Sequence, residues 1–259
     1  MTNPFMTSVT RISDLSTRGF ETRSLPREQW DTGDYVVARV SNNHGRLSSL
    51  ELPDGRMTEV MEDDLLVGAF GTRAATLEAV GDWRAIGASG ELNALTAAGL
   101  LGMVTSLSPF LSAPMRLQYQ GHAMRNGDKL TMRGSLAPIE MIDFDIPVIL
   151  IVGTSMSAGK TTSGRVIVHL LSKMGLKVVG AKLTGAARYR DMLSFKDAGA
   201  RAVYDFVDAG LPSSAVDADL YREALPYLLS LIAQQQPDVV IAEAGASPLE
   251  PYNGEIAKE

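Results

Sequence analysis

Residues 146–162 read Ile-Pro-Val-Ile-Leu-Ile-Val-Gly-Thr-Ser-Met-Ser-Ala-Gly-Lys-Thr-Thr. These residue types, at this spacing, suit the binding of a nucleoside triphosphate. Gly153, Thr154, Ser155, Met156, Ser157, Ala158 and Gly159 make a small-residue loop whose backbone N–H groups can turn inward as an anion nest. Lys160 can reach the terminal phosphates, and the Thr161 hydroxyl can ligate Mg²⁺, with Thr162 completing the stretch. A helix starting here directs its positive end at the same anion. The usual spacing of a phosphate-binding loop puts its first glycine at position 154. Here that residue is Thr154, and the glycine sits one place earlier, at Gly153. The bland alternative is a Gly-rich turn with an exposed Lys160.

Two further charged residues stand at the ends of apolar runs. Glu243 ends the run 238–242, and Lys182 ends the run 176–181. In open α/β sheets, ligands sit at the carboxyl ends of the strands. A carboxylate there can hold Mg²⁺ together with Thr161. A lysine there can bind a substrate carboxylate or a transferring phosphoryl group. The plain alternatives are a Glu243 that caps a loop or pairs with Lys182, and a Lys182 that is merely solvated. Arg188 and Arg190 could clamp an anionic substrate as bidentate donors, or be surface arginines.

The elements that must position these residues form two textures. Residues 1–30 are polar, lack a clean period and read as an irregular lead-in. Residues 31–136 carry short apolar runs at 35–40, 47–52, 57–60, 65–70 and 76–80, broken by turn residues. Asp54-Gly55 and Asn126-Gly127 each mark a hairpin. The Ala/Leu-rich stretch 91–101 reads as a short helix. This region is expected to be a small all-β domain, barrel-like or a sandwich. Gly68 to Arg73 is a Gly-flanked turn, either a ligand contact or a barrel corner. His44 and Arg46 read as exposed turn residues, the acidic run 62–64 as a solvated edge, and the methionines as core filling.

A linker at 136–145 follows, and then the texture changes. Residues 146–152 read as a strand buried on both faces, 160–174 as a helix ended by Gly175, and 176–182 as the next strand. Residues 199–209 and 219–235 read as helices, the second capped by Asp217 or Asp219 and carrying Pro226, and 238–242 as a third strand. This alternation predicts a doubly wound, mostly parallel α/β domain over 146–259. With only three clear strands, that domain reads as either cut short at its end or unusually compact.

Composition bounds the chemistry. The chain has 259 residues, 45% of them apolar, and a net charge of −6. An acidic chain is not expected to bind nucleic acid as its main business. The absence of cysteine excludes disulfides, thiolate metal sites and cysteine nucleophiles, and fits a reducing compartment. Three scattered histidines argue against a histidine metal site. The apolar stretches are too short to span a bilayer, and no signal peptide is visible, so a cytoplasmic protein without membrane attachment is expected.

The loop 153–161 resembles the phosphate loop of dethiobiotin synthetases and related P-loop NTPases, the class that includes cobyrinate amidotransferase and molybdopterin-guanine dinucleotide accessory proteins. Those loops also open Gly-Thr, with Gly-Lys-Thr at the same distance. Gly180-Ala181-Lys182-Leu183-Thr184-Gly185 is similar to that class's strand-end Lys…Thr-Gly motif. The stretch from Asp238 through Glu243 and Gly245 to Pro251 is similar to its third motif. The resemblance covers about residues 146–251 and extends to poorly characterised P-loop proteins with an extra N-terminal domain. It implies a metal role for Glu243. It also implies an acidic Mg²⁺ ligand after the second strand, for which Asp191 is the candidate and Asp197 the second choice. Lys182, Thr184, Gly185 and Arg188 would then face the substrate.

The expected function is Mg²⁺-dependent ATP binding, with Lys160, Lys182 and Glu243 as catalytic residues. The terminal phosphoryl would go to a small acidic substrate, or be used to activate its carboxylate. No guanine-specific motif is visible, so ATP is expected and GTP stays open. The resemblance also allows a homo-oligomer. The alternative is a nucleotide-hydrolysing switch or accessory protein acting on a protein partner.

Overall fold

The computed structural model describes residues 3–41, 48–154, 158–247 and 250–259. The readings above for 42–47 (His44 and Arg46 among them), 155–157 and 248–249 lie outside these residues. The chain divides into two compact units, Met1–Leu136 and Ala137–Glu259.

The first unit is built from β1 (Phe5–Met6), β2 (Glu21–Arg23), β3 (Tyr35–Val40), β4 (Ser48–Glu51), β5 (Met57–Val60), β6 (Leu65–Phe70), β7 (Thr72–Ala75), β8 (Ala79–Asp82), β9 (Glu91–Ala94), β10 (Leu100–Leu107), β11 (Arg116–Arg125) and β12 (Asp128–Lys129). All but β4 and β5 join one ten-stranded sheet, while β4 and β5 pair only with each other. Within that sheet, β6, β3, β11, β9 and β10 pair in turn, and β10 pairs back to β6. This closes a ring of five strands. An odd ring cannot be antiparallel throughout, and the odd pair here is β6–β10, which is parallel. Alternate residues point inward. Val36, Ala38 and Val40 of β3 meet Leu66 and Phe70 of β6, Leu92, Leu101 and Leu117 in one core.

The parallel seam depends on two glycines. A Cβ at Gly68 would stand 2.4 Å from the Gly99 carbonyl oxygen, and one at Gly99, whose φ is +90°, would stand 2.0 Å from Thr7 Oγ1. With both side chains absent, the Ala69 N–H reaches the Gly99 carbonyl at 2.9 Å. Gly68 therefore belongs to a strand seam, and Arg73 donates to the Leu95 carbonyl at 2.7 Å.

Beside the ring lies a buried polar network. Asp34 and His122 are almost fully buried. Asp34 Oδ2 accepts from the Asp31 N–H at 2.8 Å and from Lys129 Nζ at 2.7 Å. His122 Nε2 lies 3.1 Å from the same oxygen. Tyr119 Oη accepts the Leu25 N–H at 3.3 Å and lies 2.6 Å from His122 Nδ1. A carboxylate oxygen accepts, so the ring nitrogen that faces Asp34, Nε2, carries a proton. The lead-in is thus part of the unit: β1 pairs with β6, β2 pairs with β11, and Trp30 stacks on Phe70.

The second unit holds β13 (Val148–Ile151), α1 (Lys160–Lys173), β14 (Val178–Thr184), α2 (Tyr189–Asp197), β15 (Ala202–Asp205), α3 (Ala218–Ala233) and β16 (Val239–Ala244). Its four strands are parallel, in the order β13-β16-β14-β15. Val168 of α1 and Met192 and Phe195 of α2 share a core with Val178, Val239 and Ile241. Phe195 is the wedge between layers: a Cβ at Gly164 of α1 would stand 2.5 Å from its ring, and one at Gly180 of β14 would stand 2.7 Å away. The stretch read as a linker is strapped to α3. Tyr227 Oη donates to the Ala137 carbonyl at 2.8 Å, and the Ile142 N–H donates to Ser230 Oγ at 3.1 Å.

Several expectations are corrected. The chain is not a doubly wound, mostly parallel α/β P-loop fold with a small β attachment. It is sheet-rich, its largest sheet is ten-stranded and mixed, and only three α-helices occur among the described residues. Residues 91–101, read as a helix, form β9 and the start of β10, because the ring needs Leu92 and Leu101 in its core and helix propensity is a weak preference. Residues 199–209, also read as a helix, contain β15. The run 146–152 is not buried on both faces. β13 is an edge strand, with Val148 and Ile149 exposed at 44% and 40%. Among the described residues, no helix is long and apolar enough to cross a membrane.

Two measurements check this packing. Gly164→Ala should destabilise the chain by about 1–3 kcal/mol in urea unfolding, although alanine is the better helix former by about 1 kcal/mol. Adding Phe195→Leu should recover part of that loss. Asp34→Ala strands a buried imidazole N–H and an ammonium, and should cost about 3–5 kcal/mol.

Candidate functional site

The parallel register lines up charged residues across the carboxyl ends of the strands. Ile151 stands opposite Glu243, Glu243 opposite Lys182, and Lys182 opposite Asp205. Neighbouring strands lie roughly 4.8 Å apart, so these side chains form one row. Glu243 and Lys182 are nearly buried and Asp205 is fully so.

The helix start at Gly159 and Lys160 lies beside this row. Gly159 takes φ +80°, a left-handed turn that starts α1 without a side-chain cap. The first turn of α1 then carries Lys160, Thr161 and Thr162, whose N–H groups have no partner within the helix itself. The Thr161 hydroxyl donates to Glu243 Oε2 at 2.9 Å. Lys160 is buried at 3% exposure. A Cβ at Gly153 would lie 3.0 Å from Lys160 Cγ and Cδ. The displaced opening glycine therefore has a physical reason: the Lys160 stem lies close against it, while Thr154 is exposed and needs no such room.

Lys182 has a slot of its own. A Cβ at Gly245 would stand 2.7 Å from Lys182 Cε and 2.3 Å from the Thr184 carbonyl oxygen. Gly185, at φ +128°, flanks the other side, with its own virtual Cβ 3.3 Å from Lys182 Cε. The Gly185 loop is pinned by Ser214, whose Oγ accepts the Gly185 N–H at 2.9 Å and donates to the Tyr252 carbonyl at 2.8 Å. Thr184 is fully buried, and its Oγ1 has no hydrogen-bond partner among the described residues.

The charges are unevenly matched. Lys182 Nζ donates to Asp191 Oδ2 at 2.8 Å. Burial works against this ammonium, but Asp191, Glu243 and Asp205 outweigh it and hold the lysine above its ordinary range. For Lys160 the balance reverses: burial pushes it below the lysine range, Glu243 opposes, and Lys182 pushes it further down.

The structure thus gathers Gly153, Gly159, Lys160, Thr161, Lys182, Thr184, Gly185, Asp191 and Glu243 at one end of the sheet. Neither alternative for Glu243 describes its hydrogen bond, which comes from Thr161. Asp191 pairs with Lys182 and is not hydrogen-bonded to Thr161 or Glu243. Arg188 and Arg190 are exposed, as are Ala158, Thr162 and Asp197. Sequence reasoning missed Ser214 and Asp205. The Asp205 signal, a short Ala-Val-Tyr run ending in aspartate, was hidden by the helical reading of 199–209. Ser214 gave no signal beyond a turn-rich stretch.

No family model, curated protein or solved structure matches this chain.

The donors suit a hard, small cation with few protein ligands. Among the described residues, no group of three or more His, Cys, Asp or Glu is arranged to hold a metal. Mg²⁺ is commonly held by one or two protein oxygens, with phosphate and water completing its shell, and the Thr161 hydroxyl and Glu243 carboxylate fit that pattern.

The pressure on Lys160 has a measurable sign. A lysine whose folded value lies below 10.5 binds its proton less readily when folded. At neutral pH its charge therefore destabilises the folded chain, and that penalty fades as pH rises through the unfolded value of about 10.5. Lys160→Met keeps the stem and removes the charge. It should raise the Tm of the ligand-free protein near neutral pH, and the gain should shrink towards pH 10.5.

Proposed function

We propose that the second unit binds a Mg²⁺–nucleoside triphosphate, ATP in the first instance, and transfers its terminal phosphoryl to a small acidic substrate or uses it to activate the substrate's carboxylate. The observation that carries this reading is the 2.9 Å contact between the Thr161 hydroxyl and the Glu243 carboxylate, beside the buried Lys160 at the start of α1.

The residues divide the work. Lys160 neutralises charge on the terminal phosphates, and the uncapped first turn of α1 adds its N–H groups and dipole. Thr161 and Glu243 would hold Mg²⁺, which supplies electrostatic stabilisation of the charge that develops as the phosphoryl leaves. Lys182 presents an ammonium for an anion on the acceptor side. Its slot between Gly185 and Gly245 fixes where that ammonium sits, which is the positional control transfer chemistry needs. Thr184 and Arg188 would extend the acceptor side. A homo-oligomer is compatible with this reading and forms no part of it.

Ligand that binds only the folded state raises stability by mass action, by about 2.7 kcal/mol at a hundredfold excess over its Kd. Mg²⁺–ATP should therefore raise the Tm of the wild-type chain. Lys160→Ala should abolish the shift, and Thr161→Val should weaken its dependence on Mg²⁺. A shift equal with and without Lys160 would remove the site from this role. Turnover stimulated by a small carboxylic acid supports transfer chemistry, whereas stimulation only by a protein supports a switch.

A further inference from the structure

One carboxylate near the site is spoken for in a way the phosphoryl-transfer reading does not use. Asp191 lies in the first turn of α2, and its Oδ2 accepts from Lys182 Nζ at 2.8 Å. Lys182 has only 7% of its side chain exposed, against 27% for Asp191. The ammonium is fixed by its slot between Gly185 and Gly245, while the carboxylate reaches it from a partly open helix end. Only one member of the pair can leave at modest cost, and it is Asp191. Behind it the ammonium still faces Glu243 and Asp205.

We propose that Asp191 is an internal competitor for the Lys182 ammonium: it occupies the position that a small oxyanion, a carboxylate or a phosphoryl group, takes on binding, and the arriving anion displaces it together with the first turn of α2. This rests on the phosphoryl-transfer reading and adds an autoinhibitory contact to it. The mechanical link is short. The Asp191 carbonyl accepts from Ser194 Oγ at 2.6 Å, so the carboxylate moves with its turn. The neighbouring Arg188 and Arg190 are exposed and would be carried with it. The assignment differs from a metal-ligand role, since Asp191 is hydrogen-bonded to Lys182 and not to Thr161 or Glu243.

The test titrates inorganic phosphate and, separately, succinate into the Mg²⁺–ADP-loaded protein by calorimetry, in wild type and in the isosteric variant Asp191→Asn. A displaced charge-assisted hydrogen bond predicts binding tighter by about tenfold or more in the variant. Tightening for phosphate alone assigns the ammonium to the transferring group, and tightening for succinate assigns it to the acceptor. No tightening for either overturns the proposal. So does an increased Mg²⁺ requirement for ADP binding in the variant, which is the mark of a metal ligand. In wild type, hydrogen exchange in peptides covering residues 186–197 should quicken when the tightening anion is added, and unchanged exchange counts against displacement. Absence of Mg²⁺–ADP binding to wild type removes the phosphoryl-transfer reading and this one with it. Mg²⁺–ADP binding without tightening removes only this one.

Discussion

Lys182 holds its ammonium out of water at the end of β14, and a charge placed there must be surrounded by opposite charge or lose its proton. The local architecture of the second unit answers that demand. The parallel register sets Glu243 on one side and Asp205 on the other, and α2 delivers Asp191 to the tip. Glycines at 185 and 245 leave a passage for the stem, and Ser214 pins the first of them. The second lysine of the site lives under the opposite balance, since Lys160 gains too little nearby negative charge to offset its burial. The two buried lysines thus stand under opposite electrostatic balances at one end of the sheet.

The first unit obeys a different constraint. Closing five strands requires a parallel pair, and parallel strands need a long connection between them. Residues between β6 and β10 supply it, forming β7, β8 and β9 on the way, and β7 and β8 extend the sheet beyond the ring. The unit then buries Asp34 and His122 in a network completed by the partly exposed Lys129. Such a network favours one register over its neighbours, because a one-residue slip would strand the buried charges.

How much of this could be read from residues alone depended on sequence distance. The start of α1 at Lys160 was legible because the helical spacing that follows it is local. Lys182 and Glu243 were legible as ends of apolar runs. Their meeting was not, since Thr161 and Glu243 are 82 residues apart and only the strand order brings them together. Residues 91–101 misled because alanine and leucine favour helices locally, while Leu92 and Leu101 are needed in the ring's core. Asp205 was hidden inside a stretch misread as a helix. The run 146–152 looked fully buried because continuous hydrophobicity does not distinguish a central strand from an edge. Asp191 was visible only as an acidic residue after the second strand, and its pairing with Lys182 was not.

The glycines of this chain carry a consequence for any survey of tolerated substitutions. Gly68 and Gly99 sit where another backbone or a threonine passes within the radius of a methyl group, and Gly164 and Gly180 sit where an aromatic ring does. These positions will resist change as firmly as Gly245, which borders the candidate site, yet none of the four touches it. Intolerance mapped residue by residue would trace the seam of a barrel and the seat of a phenylalanine as sharply as any binding loop. In this protein a position that resists replacement marks the scaffold as readily as the candidate site.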